Sequence, residues 1–403
     1  MRQKWLVTLV VALAVSGLLW GGKGGALWEP HELEVAELSR RIALNLLGGG
    51  QLFVPGGENS LPIRADLGRG ELPFTSAALG FRLFGLHDWA GRLPLLLWSL
   101  AGLGALYAAL ARLWDRRGAI YAVLVLATTP LYFLQARTLL GDAVTLASFA
   151  MAWSGLSVAL LAREQSTRAR LGFALLGAVG LYAGFWCRGP IVSVAVPAGA
   201  VSLAALLGAG APGRLPRMLA SSTLLLASAA LVLGWSALGQ QREPGDYSVW
   251  VGSAMTTSLT LPSFEAPLGV LAHACFPWSA LGPLALALPW GARETPAETA
   301  PVAAAAVALG ASLAAAAWLA PWLGAQPLTG VIGLSVLVAG ALRELERGAS
   351  NVQTLALLVA GLAIVIGFDL RVYPDKAMAG FGLAEATIPE ALQPAASKLW
   401  TAS

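Results

Sequence analysis

The sequence predicts an all-α, polytopic membrane protein of about eleven transmembrane helices, with two interfacial helices in a long first outer loop. Three observations carry this reading. The chain of 403 residues is 57% hydrophobic and only 12% charged, where a soluble domain carries about 25% charged residues, and its mean hydropathy is +0.69. Apolar runs of about twenty residues recur, each long enough at 1.5 Å per residue to cross a hydrocarbon core about 30 Å thick. The runs lack strand-like alternation, and lipid cannot satisfy backbone groups, so the spans must be helices.

In chain order the expected spans are Trp5–Trp20, Leu93–Trp114, Ala119–Leu134, Val144–Ala162, Leu171–Trp186, Ile191–Leu207, Met218–Leu238, Leu268–Trp290, Val302–Trp322, Leu328–Leu342 and Thr354–Phe368. The first has a basic start and an apolar middle, so a signal peptide is its alternative reading; in either case the next segment ends up outside. Lys and Arg collect in every second short loop: Arg2 and Lys4, then Arg116 and Arg117, Arg163, Arg168 and Arg170, Arg214 and Arg217, Arg293, and Arg343 with Arg347. Those loops are therefore cytoplasmic. The opposite face holds the first loop (residues 21–92), the turn "QARTLLGDA", the turn "CRGP", the loop 239–267 and the tail from Asp369. Residues 1–368 thus form one membrane domain. Residues 369–403 are an outer-face tail, either the start of a truncated C-terminal domain or a minimal ending.

The first loop has its own pattern. Between His31 and Leu47 the apolar residues Leu33, Val35, Ala36, Leu38, Ile42, Leu46 and Leu47 fall mostly on one helical face, which predicts a helix in the membrane interface. "GGGQLFVPGGENSLP" ends it, and "PFTSAALGFRLFG" forms a second short amphipathic helix before "RLP" opens the next span. The net charge of +4 comes from loop arginines and includes no dense basic run, which excludes a nucleic-acid surface. Cys187 and Cys275 have neither disulfide nor metal spacing and are expected to be packed thiols.

Ionisable residues at the ends of spans cost energy to keep and are candidates for function. On the outer face these are Glu29 and Glu32, Arg137 and Asp142, and Arg188 in "FWCRGP". Each alone is an interfacial charge or a local ion pair; their common sidedness favours a site. Glu29 and Glu32 lie at a helix N-terminus, whose dipole favours the carboxylate, the form a general base needs.

The order of these motifs resembles the GT-C membrane glycosyltransferases of the protein O-mannosyltransferase and lipid A aminoarabinose transferase type. The text that carries the likeness is "HELEVAELSRR", "LPFTSAALGFRLFGLHDWAGRLP", "ATTPLYFLQARTLLGDAVTLASF", "GFWCRGP" and "FEAPLGVLAHACFPW", spanning roughly Trp28 to Trp278. The resemblance implies an enzyme that moves a sugar from a polyprenyl-phosphate carrier to a lipid, glycan or protein acceptor at the periplasmic or outer face of the plasma membrane. It carries the first-loop acid onto Glu29 or Glu32, with Glu29 slightly preferred, and the second acid onto Asp142, which would position the acceptor or an arginine, or bind a divalent ion. Arg188, Arg137 and Arg69 would hold the donor phosphate, and Glu71, His31 and Glu265 would line the substrate. No His/Cys/Asp spacing demands a metal, so no cofactor is assigned and a divalent ion stays open. One departure stands out: many members read Glu-Lys-Pro-Pro where this chain reads "GELPF", so Glu71 and Pro73 match but Leu72 replaces the lysine. That keeps a non-catalytic relative serving as an assembly subunit in play. A lipid or solute transporter is the other alternative, weakened by the lack of a visible repeat.

Overall fold

The computed structural model describes residues 31–44, 70–162, 165–207, 214–240, 263–291, 296–323, 327–346 and 352–372. The described residues are helices and short connections, with no strand among them. In chain order the helices are α1 (His31–Ala43), α2 (Glu71–Phe84), α3 (Asp88–Leu113), α4 (Arg116–Thr128), α5 (Pro130–Arg137), α6 (Asp142–Leu161) and α7 (Thr167–Pro190). A π-helical turn (Ile191–Ala195) leads into α8 (Val196–Leu207), followed by α9 (Arg214–Gln240) and α10 (Glu265–Ala274). A 3₁₀ turn (Trp278–Leu281) then precedes α11 (Gly282–Gly291), α12 (Pro296–Leu323), α13 (Val331–Glu346) and α14 (Val352–Val372). Among the described residues five stretches are long and apolar enough to cross a membrane, or up to seven if each bent pair counts as one span. The polytopic all-α class therefore holds. The first expected span, Trp5–Trp20, lies outside the described residues, and the total of eleven is not established.

Two of the expected spans are broken at a proline, and a third break falls at the turn expected between two others. Ala119–Leu134 is not one rod: α4 and α5 meet at a 64° bend. Pro130 has no N–H to donate and holds Thr129 in an extended conformation. The hydroxyls of Thr128 and Thr129 then donate back to the carbonyls of Leu124 and Val125, each at 2.6 Å, satisfying acceptors that lipid could not. Leu268–Trp290 is likewise two pieces bent by 108° between α10 and the Trp278–Ala287 segment, around the "CFPW" text. Within Thr167–Leu207, 41 residues long, the helix is interrupted at Arg188 and Gly189. A straight helix of that length would be about 60 Å, twice the hydrocarbon core. Instead Gly189 takes φ 73°, a conformation only glycine adopts cheaply. The chain doubles back: a Cβ on Gly184 would lie 2.7 Å from that of Ser193. The expected turn at "CRGP" is thus present.

Helix α6 is the hub, with nearly every side chain from Asp142 to Leu161 buried. Helix α7 reaches it through glycines. A Cβ on Gly155 would meet the Gly177 nitrogen at 2.2 Å, and one on Gly180 would meet the Ala152 nitrogen at 2.3 Å, so any side chain at either position would drive the helices apart. Both amphipathic helices of the first loop are formed. Val35, Ala36 and Leu38 of α1 and Phe74, Ala77 and Phe81 of α2 share a small core with Leu95, Leu139, Val144 and Cys187. Glu37, on the wetter side of α1, pairs with Arg40 at 2.7 Å and Arg41 at 2.9 Å. The hydrogen bond from Arg40 lowers the Glu37 carboxyl to about 2.

The two ends of the bundle differ in kind. At one end Asp115 caps α4 by accepting from the Gly118 nitrogen at 2.7 Å and pairs with Arg343 at 3.1 Å, while Arg117 meets Glu346 at 3.2 Å. Arg112 lies over the Phe173 ring, and Arg170 donates to the Ala162 carbonyl at 2.8 Å. At the other ends of α3, α6 and α7 stand Arg92, Asp142 and Arg188. One expectation needs adjusting. Asp369 belongs to α14 and not to a tail, since that helix runs to Val372. It is held there by His273, whose Nε2 lies 2.7 Å from its carboxylate and whose Nδ1 lies 2.7 Å from the Gly269 carbonyl. His273 is buried and hydrogen-bonded, as its place on an apolar segment predicts. Both cysteines are fully buried thiols.

Candidate active site

The charged residues at the α3, α6 and α7 ends are set by three irregular segments. Gly70, the residue before α2, donates its N–H to the Cys187 carbonyl at 2.8 Å, tying the start of α2 to the irregular last turn of α7. Arg188, in that turn, has φ −141° and ψ 18°, outside the helical region, which swings its side chain towards α6. There its Nε and Nη2 both reach Asp142 Oδ1, at 3.1 and 2.5 Å. The two side chains are 3% and 6% exposed, so this is a buried ion pair. The resemblance names both residues, and the fold brings them together across 46 positions of sequence.

The loop 138–141 joins α5 to α6 and places Arg137 at one of its ends and Asp142 at the other. Gly141 has φ 84°, and a Cβ there would meet Pro73 Cβ at 3.1 Å, so the loop sits directly under α2. Arg137 is half-buried, with its guanidinium 4.8 Å above the Phe133 ring, and lies near enough to Arg92 for the two cations to repel. Among the described residues no carboxylate pairs with it. It therefore has capacity for an external anion.

Glu32 is fully buried. Its Oε2 lies 2.9 Å from Arg92 Nη2, and its Oε1 accepts from the Leu139 nitrogen at 2.6 Å. As a general base it would first have to give up these partners. Glu29 and Arg69 lie outside the described residues. His31 opens α1. Glu265 is exposed at the start of α10, a helix that packs mainly on α12 and α14, away from the helices that carry the cluster.

Beside the charges a cleft of about 380 Å³ opens between α2, α3 and α7, lined by Glu71, Leu72, Trp98, Val179, Tyr182 and Trp186 among others. Tyr182 is 69% exposed, so the cleft faces outward from the bundle, where acyl chains would lie. Glu71 is its acidic lining residue. Leu72, which stands where the resemblance would place a lysine, lies directly in its wall. Reading the sequence for chemistry overlooked Arg92, Trp98 and Tyr182. Arg92 was visible as an ionisable residue opening a span, but the aromatic lining carries no local signal.

Residues 72–238 match the family described as dolichyl-phosphate-mannose-protein mannosyltransferase. No curated protein sequence matches the chain. Among solved structures the fold is similar to ArnT from Cupriavidus metallidurans in the apo state, with TM-score 0.60 and 18% identity over 100% of this chain and 75% of that one. The same protein bound to undecaprenyl phosphate gives TM-score 0.60 and 18% identity, over 100% and 76% of the two chains. The archaeal oligosaccharyltransferase AglB from Archaeoglobus fulgidus, in complex with an inhibitory peptide and a dolichol-phosphate, gives TM-score 0.53 and 12% identity, over 99% and 60%. The family match thus covers the first part of the helical bundle, and the fold of the whole chain is similar to that of ArnT; the apolar helices make it an integral membrane protein.

Proposed function

We propose that the protein transfers a sugar from a polyprenyl-phosphate carrier to an acceptor hydroxyl at the outer face of the membrane, with inversion at the anomeric carbon. The observation that carries this reading is the juxtaposition of an outward-facing apolar cleft with the charged group of Asp142, Arg188, Arg92 and Arg137. An isoprenoid phosphate has the same two-part character. Its chain suits Leu72, Trp98 and Tyr182, and its phosphate suits a guanidinium. In support, ArnT has been solved with undecaprenyl phosphate and AglB with a dolichol-phosphate.

The chemistry is one displacement. The acceptor oxygen attacks the anomeric carbon, the bond from that carbon to the phosphate oxygen breaks, and the acceptor proton passes to a carboxylate, for which Glu29 is the candidate. The electron pair leaves with the lipid phosphate, and a single in-line step inverts the centre by the geometry that governs inverting glycosidases. Arg137 and Arg188 face the charge that grows on the departing phosphate, a preorganised electrostatic role. Asp142 fixes the Arg188 fork. The test is incubation of the purified protein with radiolabelled polyprenyl-phosphate mannose and aminoarabinose in the presence of membrane acceptors. Label should move to an acceptor, with one polyprenyl phosphate released per transfer. Failure with every sugar and acceptor would remove the assignment.

The side of the membrane follows from the arginines. Arg112, Arg117 and Arg170 share the end opposite Asp142 and Arg188, and by the positive-inside rule that end faces the cytoplasm. Cysteine at exposed Arg168 should therefore react with an impermeant maleimide only after permeabilisation, and cysteine at exposed Arg82 without it. Both native cysteines are fully buried and should stay silent. Labelling of both positions from one side would refute the orientation.

The non-catalytic reading draws on one observation, the apolar Leu72 in the cleft wall. Leu72→Lys puts a cation beside Glu71 and should tighten binding of undecaprenyl phosphate several-fold. If the substitution switches on transfer in an otherwise inactive protein, the natural chain is the non-catalytic form.

A further inference from the structure

We propose that Glu32 and Arg92 are not catalytic but act together as positioning residues, fixing the loop from which Arg137 and, through its pairing with Asp142, Arg188 reach the reacting phosphate. This rests on the transfer reading above. Four elements meet at that loop. From α1 comes Glu32, with Oε1 2.6 Å from the Leu139 nitrogen. From α3 comes Arg92, 2.9 Å from Glu32 Oε2 and 3.2 Å from Oε1. From α2 comes Pro73, against which Gly141 is turned at φ 84°. Thr138 closes the α5 side, its nitrogen and hydroxyl both held by the Leu134 carbonyl, at 3.0 and 2.9 Å. Leu139 and Leu140 are at most 1% exposed, so the loop is part of the core and not a surface connection.

A segment this short between two helices transmits any displacement to both ends. Arg137 precedes it directly, and Asp142, which carries Arg188, follows it. The Leu139 N–H, buried with Glu32 as its acceptor, selects one loop conformation: any other leaves a donor in the core without a partner. Arg92 in turn makes it possible for a carboxylate to be buried there at all. The Glu32 oxygens are committed to two donors, and this separates the residue from a general base, whose lone pair must point at substrate.

The two roles give opposite results with Glu32→Gln. As a positioning residue, the amide oxygen still accepts from Leu139 N–H and from Arg92, so the rate at saturating donor should fall only about tenfold. The acidic limb of its pH dependence should remain, because the base is untouched. Arg92→Lys, which keeps the charge and loses the fork, should give a similar loss, and the double variant should be little worse than either single one because the pair works as a unit. Glu32→Ala should also speed hydrogen exchange at the Leu139 amide in folded protein, a readout independent of turnover. Wild-type protein that transfers sugar, with Glu32→Gln inactive, its acidic limb gone and Leu139 exchange unchanged in Glu32→Ala, would overturn the proposal and make Glu32 the base. Wild-type protein that transfers no sugar, with Leu139 exchange still accelerated in Glu32→Ala, would overturn the transfer reading and leave the clamp as architecture alone.

Discussion

Replacing Arg188 by alanine is expected to lower transfer by about a hundredfold or more, the usual consequence of losing one preorganised donor, and also to destabilise the fold. The second effect follows from burial. Asp142 is 6% exposed beside a guanidinium that is 3% exposed, and stripping a buried ion of its partner costs about 3–5 kcal/mol. The two effects can be separated. Arg188→Ala combined with Asp142→Ala removes both charges, so most of the lost thermal stability should return while transfer stays low. Arg188→Lys should recover part of the activity, since charge is kept and the two-pronged contact is lost. Melting temperature in detergent and label transfer on the same preparations measure both quantities. A double variant that regains activity along with stability would mean that the pair serves folding only.

What the sequence showed and what it hid divide along physical lines. The membrane class, the two amphipathic helices and the turn at Arg188 follow from properties visible within a short window: mean hydropathy, helical periodicity, and a glycine and proline in succession. The bends at Thr129–Pro130 and around Pro277 were marked by their prolines, yet a hydropathy window smooths across them, so each was expected as one straight span. Asp369 was placed in a tail because a carboxylate normally ends an apolar segment; its partner, His273, lies 96 positions away and lets the helix continue through it. Glu32 is the sharpest case. Its spacing from Glu29 suggested two interchangeable candidates, but Arg92 lies 60 positions away and the Leu139 nitrogen 107, and no local pattern reports such partners. Pairing across long stretches of chain turns a charge that looks exposed in sequence into one that is buried in the fold.

That pairing narrows the acidic cluster at the start of the first loop to a prediction about Glu29. Glu32 is committed to Arg92 and Leu139. Glu37 is engaged by Arg40 and Arg41, partly in solvent, in pairs worth about 0.3–0.5 kcal/mol each. Glu29 precedes the described helix α1 (His31–Ala43) in sequence and is the remaining acid onto which the resemblance carries the base. Glu29→Gln is therefore expected to reduce transfer by at least about a hundredfold, the scale of losing a general base. Undecaprenyl phosphate binding and melting temperature should stay at wild-type values. The pH dependence should show the same assignment. A carboxylate base works only when ionised, so wild-type activity should fall as pH drops through its pKa, and Glu29→Gln should lose that limb along with most of the rate. Glu37→Gln should transfer nearly as well as wild type, because only weak surface pairs are lost. A Glu29→Gln protein that transfers at the wild-type rate with its acidic limb intact would mean that the proton goes elsewhere, and the proposed displacement would lose its base.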